Sequence, residues 1–396
     1  MRRCGRSLQP RNRHGPRPMP SLDIRSRALI LLLLVAGLTS ACAYNPARMP
    51  VIDPGGAKGS VETVFIATTR SPAEDPSLHY GPGRGDGLSF AEAGIWVPHN
   101  REPGSVNLPS ATPDPAREFA LTGFEDVADL PELASRIDAG LAGLALDERQ
   151  VFLFVHGYNT PFSDGLYLNA QILNDFGIPG VAVHYAWPSA GRLPAYLYDR
   201  NSAQFARDGL ADTLIMLADT QAVRINILAH SMGALLTMEA LRELSLRGRG
   251  DVVERIDPLM LASPDIDFDV FRTQLAALDP PPEHLAIFAS ARDRALLVSG
   301  SLRGGGHPRI GSGAFREELN ALGVAVIDLS TLSDGRGFAN HVTFASSPTL
   351  MRLSSSGVLT DALMGESTHV RSTGIGALTD LAARIIYLPA RALGER

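Results

Sequence analysis

The stretch INILAHSMGALLTMEA, residues 225–240, changes character at a single serine. Before it, Ile225 and Ile227 belong to an apolar, β-branched run that is typical of a buried strand. After it, residues 234–244 are mostly good helix formers. Ser231 therefore lies in a sharp turn from a strand into a helix. Such a serine is either a nucleophile or one of several small residues that suit a tight turn.

From about residue 126 the chain alternates between helical and strand patterns. Helical runs occupy residues 127–144, 202–220 and 231–244. Short apolar runs predict buried strands within the segments 150–157, 180–187, 224–230, 256–265, 284–293 and 324–330. This alternation indicates a mostly parallel sheet with helices on both faces.

Three shorter β-type runs precede this region, at residues 61–70, 93–100 and 117–123. Segments rich in glycine and proline, such as GPGRGDG at 81–87, separate them and predict loops. We expect the three runs to form antiparallel strands. The whole pattern predicts an α/β fold with a mostly parallel central sheet and antiparallel N-terminal strands.

Residues that could carry chemistry follow several of the predicted strands. The segment HGYN at 156–159 follows one strand, Ser231 and Asp293 each follow another, and His341 comes after the last predicted strand. Ligands of parallel α/β sheets bind at the carboxyl ends of the strands. A serine, an acid and a histidine thus occur in this order where an active site is expected.

The strand, turn and helix around Ser231 resemble the nucleophile elbow of the α/β-hydrolases, whose catalytic residues follow the order Ser, Asp or Glu, His. Ala229 replaces the first glycine of the G-x-S-x-G pattern and is small enough for the close approach of strand and helix. Other segments resemble a bacterial family of esterase- and lipase-like α/β-hydrolases of unassigned substrate, over roughly residues 60–350. They are VFLFVHGYNTPF (151–162), YAWPSAGRLPAYLYDRNSA (185–203), HSMGALL (230–236), LASPDIDFDVF (261–271) and ASARDRALLVSG (289–300).

The resemblance implies a role for each candidate residue. Ser231 would be the nucleophile, His341 the base that takes its proton, and Asp293 the acid that orients His341. The backbone N–H groups of Tyr158 and Met232 would form an oxyanion hole, with each donor contributing on the order of 3 kcal/mol.

Two carboxylates are candidates for the acid. Asp293 follows the strand where most members of the resembling family carry it, and we take it as the first choice. Asp265 follows the preceding strand and is the alternative, although aspartates in such positions also cap helices. Nearby, Trp187, Tyr196 and Tyr198 either line a substrate pocket or pack the start of a surface helix.

Residues 1–41 predict a signal peptide of the lipoprotein type. Eight arginines precede the apolar run ALILLLLVAGLTSACA at 28–43, which is short for a membrane span. The run ends in LTSAC, which resembles the bacterial lipobox with Thr39 where leucine is more usual. The resemblance implies lipidation of Cys42; the alternative is an uncleaved apolar anchor. Residues 42–60, rich in proline and glycine, predict a flexible tether.

The chain without residues 1–41 is acidic. It keeps 28 basic and 41 acidic residues, a formal net charge of −13. Such a charge argues against nucleic-acid binding, which requires a basic surface. Cys4 and Cys42 are the only cysteines, so the mature chain can form no internal disulfide. No convincing metal-ligand spacing or cofactor motif occurs, and we expect neither a metal nor a cofactor.

These features predict a hydrolase of carboxylic esters, held by a lipid at the cell envelope and facing the periplasm or the exterior, in the outer membrane if the cell is Gram-negative. Its partners would be a small ester or acyl substrate and the membrane. A thioesterase, amidase or acyltransferase with the same residues, or a hydrolase-fold module that only binds, are the alternatives. We expect the hydrolase domain to span residues 61–350 and a helical tail to span 351–396.

Overall fold

The computed structural model describes residues 48–296, 307–332, 335, 341–364 and 385–388. Its strands are β1 (Gly59–Pro72), β2 (Tyr80–Pro98), β3 (Ala120–Val127), β4 (Gln150–Val155), β5 (Val181–Ala186), β6 (Arg224–His230), β7 (Ile256–Ala262), β8 (Leu285–Ala289), β9 (Ala325–Asp328) and β10 (Ile386–Tyr387). All of them belong to one sheet, in the order β10-β9-β8-β7-β6-β4-β5-β1-β2-β3.

Seven adjacent strands of the sheet, from β9 to β1, run parallel. The pairs β1 with β2 and β2 with β3 are antiparallel, as is the pair β9 with β10. The predicted class, a mostly parallel α/β sheet with antiparallel strands from the N-terminal part of the chain, is confirmed.

Helices cover both faces of this sheet. They are α1 (Leu130–Ala142), α2 (Phe162–Phe176), α3 (Tyr196–Phe205), α4 (Arg207–Ala218), α5 (Met232–Leu246), α6 (Gly250–Glu254), α7 (Phe268–Ala276), α8 (Arg316–Ala321), α9 (Thr343–Ser346), α10 (Pro348–Ser355) and α11 (Val358–Leu363). Helices α1, α4 and α5 pack on one face, whereas α2, α10 and α11 pack on the other.

The central strands are apolar on both sides because both of their faces are covered. In β4, Val151 and Leu153 belong to the first core, and Phe152 and Phe154 to the second. Successive side chains of a strand point to opposite faces, so a fully buried strand is a continuous apolar run. This is why QVFLFV predicts a strand so clearly.

The glycine-rich segment at 81–87 is not a loop, as the sequence suggested, but part of the long strand β2. It pairs with the end of β1 across two register shifts. A Cβ on Gly83 would lie 2.5 Å from Ser71 Oγ, and one on Gly85 would lie 2.9 Å from the Arg70 carbonyl oxygen. The glycines therefore permit the close approach of two irregular strands.

The predicted helix at 202–220 is divided in two at Ala206, between α3 and α4. The Tyr185 hydroxyl, on β5, donates a hydrogen bond to the Ala206 carbonyl at 2.6 Å. A hydrogen bond from the sheet to the helical backbone cannot be inferred from apolar periodicity.

Described residues before 61 and after 350 also pack onto or pair with the sheet. Met49 is 2% exposed in the second core and Val51 bridges Leu121 of β3, so the predicted tether does not continue to residue 60. After residue 350 the chain remains helical to α11, but Ile386 lies in strand β10. The expected helical tail is wrong there, because the chain pairs with β9 instead.

The predicted signal peptide, Cys42 and most of the tail lie outside the described residues. In the part of the chain that is described, no helix is both long and apolar enough to cross a membrane.

Candidate active site

Ser231 lies in a strained turn between β6 and α5. Its backbone has φ 53° and ψ −117°, a conformation that costs free energy for a residue other than glycine. The Ser231 N–H donates to the Ala262 carbonyl at 2.8 Å, and the Asp265 N–H donates to the Ser231 carbonyl at 3.3 Å. These bonds to the neighbouring strand end hold the turn in its strained geometry, and we call this turn the elbow.

Two glycines allow the turn to approach the loop that follows β4. A Cβ on Gly233 would lie 2.3 Å from the His156 carbonyl oxygen. A Cβ on Gly157 would lie 2.6 Å from His230 Nδ1 and 3.0 Å from Ser231 Cβ. Only glycine fits at these two positions without a shift of the backbone or of the His230 and Ser231 side chains, so the loop and the elbow meet directly.

Asp293 and His341 form a hydrogen-bonded pair near this turn. His341 Nδ1 lies 2.7 Å from Asp293 Oδ2, and the Asp293 side chain is fully buried. Asp293 Oδ1 accepts the backbone N–H groups of Ala295 and Leu296 at 3.1 and 3.3 Å. The carboxylate is therefore fixed in place, and it orients the imidazole through Nδ1.

His230 connects this pair to the elbow. Its ring centroid lies 4.6 Å from that of His341, and its Nε2 lies 3.2 Å from the His341 carbonyl oxygen. Burial, and then the neighbouring His341, hold the pKa of His230 well below its usual range. His230 is thus neutral, and Nε2 carries its proton because a carbonyl can only accept.

The described structure contains no hydrogen bond between Ser231 Oγ and the His341 ring. Catalytic hydrogen bonds are often long without substrate and shorten in the complex. The structure therefore joins Asp293 to His341 directly and brings His341 to the residue before Ser231.

Two backbone N–H groups are available beside the elbow. Met232 is the first residue of α5, where an N–H has no partner within the helix. Tyr158 lies in the loop after β4, which pairs with β6 as far as Val155 and Ala229. Among the described residues, neither of these N–H groups donates a hydrogen bond.

A buried carboxylate supports the loop that contains Tyr158. Asp199, on the inner face of α3, accepts the N–H of Asn159 at 3.0 Å, the N–H of Ala190 at 2.7 Å and the hydroxyl of Ser189 at 2.6 Å. Burial raises the pKa of Asp199, although these three hydrogen bonds oppose that shift. Asp199 therefore ties two loops at the carboxyl edge of the sheet to one helix.

Arg70, at the end of β1, supports the same loops from the other side. Its buried guanidinium donates to the carbonyls of Thr160 at 2.7 Å and of Ser189 and Gly81 at 3.1 Å. Sequence reasoning missed both Arg70 and Asp199. A charged residue at the end of an apolar strand, as in VFIATTR, was the available signal.

The alternative acid, Asp265, has other partners. Its Oδ2 accepts the Tyr196 hydroxyl at 2.7 Å, and its Oδ1 lies 3.3 Å from Arg309 Nε. Asp267, two residues on, caps helix α7. Asp293, rather than Asp265, is the carboxylate at His341 Nδ1.

The three aromatic residues near the site differ in environment. Trp187 is fully buried, stacks on His156 at 4.9 Å and donates to its carbonyl, which is a packing role. Tyr196 packs edge-on against Tyr158 at 5.4 Å and is 4% exposed. Tyr198 is 37% exposed, so it is the one of the three that solvent reaches most.

One group of possible metal ligands occurs among the described residues. Ligand atoms of Asp257, Glu283 and His284 lie within 4.8 Å of one another. The group lies at the amino ends of β7 and β8, at the edge of the sheet opposite Ser231. A hydrogen bond of 2.7 Å between His284 Nδ1 and Asp257 Oδ1 accounts for much of this proximity.

Fold and site geometry together define an α/β-hydrolase. The sequence profile of the family described as "Alpha/beta hydrolase of unknown function (DUF900)" matches residues 142–358, and the chain belongs to this family. No curated protein sequence matches the chain significantly.

Solved structures of lipases and esterases show distant similarity. Lipase B of Aspergillus fumigatus is 17% identical, with a TM-score of 0.35, over 56% of this chain and 54% of its own. Esterases of Rhizomucor miehei are 13% identical, with a TM-score of 0.31, over 87% of this chain and 92% of their own. An esterase of the archaeon Pyrobaculum calidifontis is 12% identical, with a TM-score of 0.33, over 85% of this chain and 91% of its own. None of these similarities identifies a substrate.

Proposed function

We propose that the protein is a serine hydrolase that cleaves a carboxylic ester through an acyl-enzyme on Ser231. The observation that carries this proposal is the strained serine turn together with the hydrogen-bonded Asp293–His341 pair, whose carboxylate is buried. A serine hydroxyl is a weak nucleophile until a base takes its proton, and an imidazole oriented at Nδ1 has Nε2 free for that purpose.

The proposed reaction has two halves. His341 takes the proton of Ser231 as the hydroxyl attacks the ester carbonyl, and the N–H groups of Tyr158 and Met232 stabilise the oxyanion. His341 then returns the proton to the leaving alcohol, which gives the acyl-enzyme. Water, activated by the same imidazole, releases the acid. Asp293 stabilises the imidazolium throughout.

An activity-based probe tests the nucleophile. We expect a fluorophosphonate to label Ser231, the protein to hydrolyse p-nitrophenyl esters, and Ser231→Ala to lose both properties. Ser263→Ala is a matched control, because Ser263 is also buried, directly follows the neighbouring strand β7 and has φ 46°. The control should keep labelling and turnover.

The same variants test which bond the protein cleaves and whether it transfers the acyl group to water or to an alcohol. Thioester and amide analogues of the best ester, and an alcohol offered as acyl acceptor, separate an esterase from a thioesterase, an amidase or an acyltransferase. A folded protein that neither labels nor turns over any of these substrates would be a binding module, and the proposal would be wrong.

We also propose that a lipid on Cys42 holds the domain at the cell envelope. The support is the LTSAC sequence after a basic and apolar leader. Expression of Cys42→Ala should move the protein from the membrane fraction to the soluble fraction. Retention of this variant in the membrane would contradict lipidation.

A further inference from the structure

A cavity of about 440 Å³ lies between the second core face of the sheet and the helices that cover it. Its floor includes an apolar side chain from each of four neighbouring strands: Phe152, Leu228, Met260 and Phe288. Helices α2, α10 and α11 form its opposite wall. The volume falls within the range of roughly 300–1,000 Å³ that is typical of small-molecule sites.

Polar side chains line the cavity at the amino ends of β4 and β6. Gln150 Oε1 accepts hydrogen bonds from Arg224 Nε at 2.9 Å and from Asn226 Nδ2 at 2.8 Å. Since Nε–H of an arginine can only donate, the oxygen of the Gln150 amide must face it. The Gln150 NH₂ group and both Arg224 Nη atoms are therefore left as donors.

Arg224 has no acidic partner among the described residues, although the chain is rich in acids. Its only hydrogen bond there is the one from Nε to Gln150. A guanidinium with free Nη atoms matches a carboxylate, which it can bind through two parallel hydrogen bonds. One end of an apolar cavity thus offers positive charge and donors.

The cavity is long as well as apolar. It runs from Arg224 along β6 to Leu228, a rise of roughly 13 Å for four residues of a strand. Beyond Leu228 the cavity reaches Phe344, whose ring lies 4.8 Å from that of His230. An unbranched apolar chain would lie along this path, with Phe344 between its end and His230.

We propose that this cavity is a second ligand site, for a carboxylate with a medium-length apolar chain. The head group binds Arg224 and Gln150, and the chain lies over Phe152 and Leu228 toward Phe344. A short anion would leave the apolar surface empty, and a neutral chain would leave the Arg224 donors unpaired. The site does not depend on Ser231 being a nucleophile.

Calorimetry with decanoate tests this site in the full chain carrying Ser231→Ala, which removes any turnover. We expect saturable binding of one decanoate, at least tenfold weaker binding of decanol, and no saturable binding of acetate. Arg224→Gln should weaken decanoate binding at least tenfold. Arg272→Gln, which removes an exposed arginine of α7 outside the cavity, should leave it unchanged.

A second variant tests where the apolar chain of the ligand lies. Ser354 of α10 lines the cavity and is half-buried, so Ser354→Trp fills the space while Arg224 remains. It should also weaken decanoate binding at least tenfold, with thermal melting as the check that each variant is folded. Absence of saturable binding to the parent protein, or equal binding by folded Arg224→Gln, Ser354→Trp and Arg272→Gln proteins, would overturn the proposal.

Discussion

The sequence left Asp293 and Asp265 as alternatives for the acid, and their side-chain partners distinguish them. Asp293→Asn removes the acceptor at His341 Nδ1, and kcat should fall by roughly 10⁴ while the fold is retained. Asp265→Asn should instead lower stability, by about 3–5 kcal/mol, because it removes the closer of the two carboxylates beside the buried Arg309. Ester kinetics and urea unfolding of both variants measure the two effects.

The reverse pattern would contradict this assignment. If Asp265→Asn lost kcat and Asp293→Asn did not, Asp265 would be the acid. The sequence could not separate them because both residues follow neighbouring strands. What differs is the set of partners, Tyr196 and Arg309 for one and His341 for the other.

Asp199 is expected to act through the loop it holds. Asp199→Asn would place an NH₂ group among three donors, so the loop with Tyr158 would shift and weaken one oxyanion donor. We expect kcat to fall by roughly 10²-fold, with KM changed less than threefold. Asp219→Asn, at the exposed end of α4, is the control and should change neither.

A purely structural role for Asp199 would give a different result. In that case unfolding by urea would occur at lower concentration, while kcat of the folded protein stayed at the parent value. If Asp199→Asn and the control Asp219→Asn changed kcat equally, this would also contradict a role of Asp199 in positioning the Tyr158 loop.

At the scale of elements, the elbow depends on contact between helix α5 and the loop after β4. Gly233→Ala would bring a Cβ to 2.3 Å from the His156 carbonyl, and the resulting overpacking should cost about 1–3 kcal/mol of stability. The displaced turn should also slow fluorophosphonate labelling. Gly123→Ala in β3 meets nothing within 4 Å, and it should keep the parent stability and labelling rate.

Strong patterns made some elements predictable. Strands β4 and β6 and helix α5 follow from apolar runs and helix-forming residues, and the turn between β6 and α5 locates Ser231. The glycine-rich half of β2 was mistaken for a loop because its glycines serve close backbone approach, which looks the same in a sequence. The break at Ala206 depends on a hydrogen bond from Tyr185, a residue 21 positions away.

At the scale of the whole molecule, three buried histidines couple stability to pH. Burial holds the pKa of His156 and His230 well below the usual range and lowers that of His184 to about 3. In the unfolded chain they protonate near pH 6.5. The unfolded state therefore binds more protons as the pH falls below 6.5, and this favours unfolding.

Each of these histidines should lower stability by about 1.4 kcal/mol per pH unit once the pH is below 6.5. His184→Phe should reduce the pH slope of the unfolding free energy between pH 6 and 5 by that amount. Urea unfolding at several pH values measures the slope for parent and variant. An unchanged slope would mean that His184 is protonated in the folded protein.

The site as a whole was only partly visible in the sequence. Order along the chain suggested Ser231, Asp293 and His341, since carboxyl ends of parallel strands meet at one edge of the sheet. The hydrogen bonds by which Arg70 and Asp199 hold the loops of the site could not be predicted from the sequence, because they depend on which loops meet in space. The cavity at Arg224 was equally hidden, since its lining comes from four strands and four helices.

Strand β10 consists of only two residues, yet it means that β9 is not an edge strand of the sheet. Ile386 and Tyr387 pair with Ile327 and Val326, so β9 has neighbours on both sides over this stretch. Without them, unpaired N–H and C=O groups of a short apolar strand would face solvent at the end of the sheet. Such an edge is a template for pairing between molecules. Pairing with β10 thus protects β9 from such association, and deletion of Ile386 and Tyr387 should lower the solubility of the protein at high concentration.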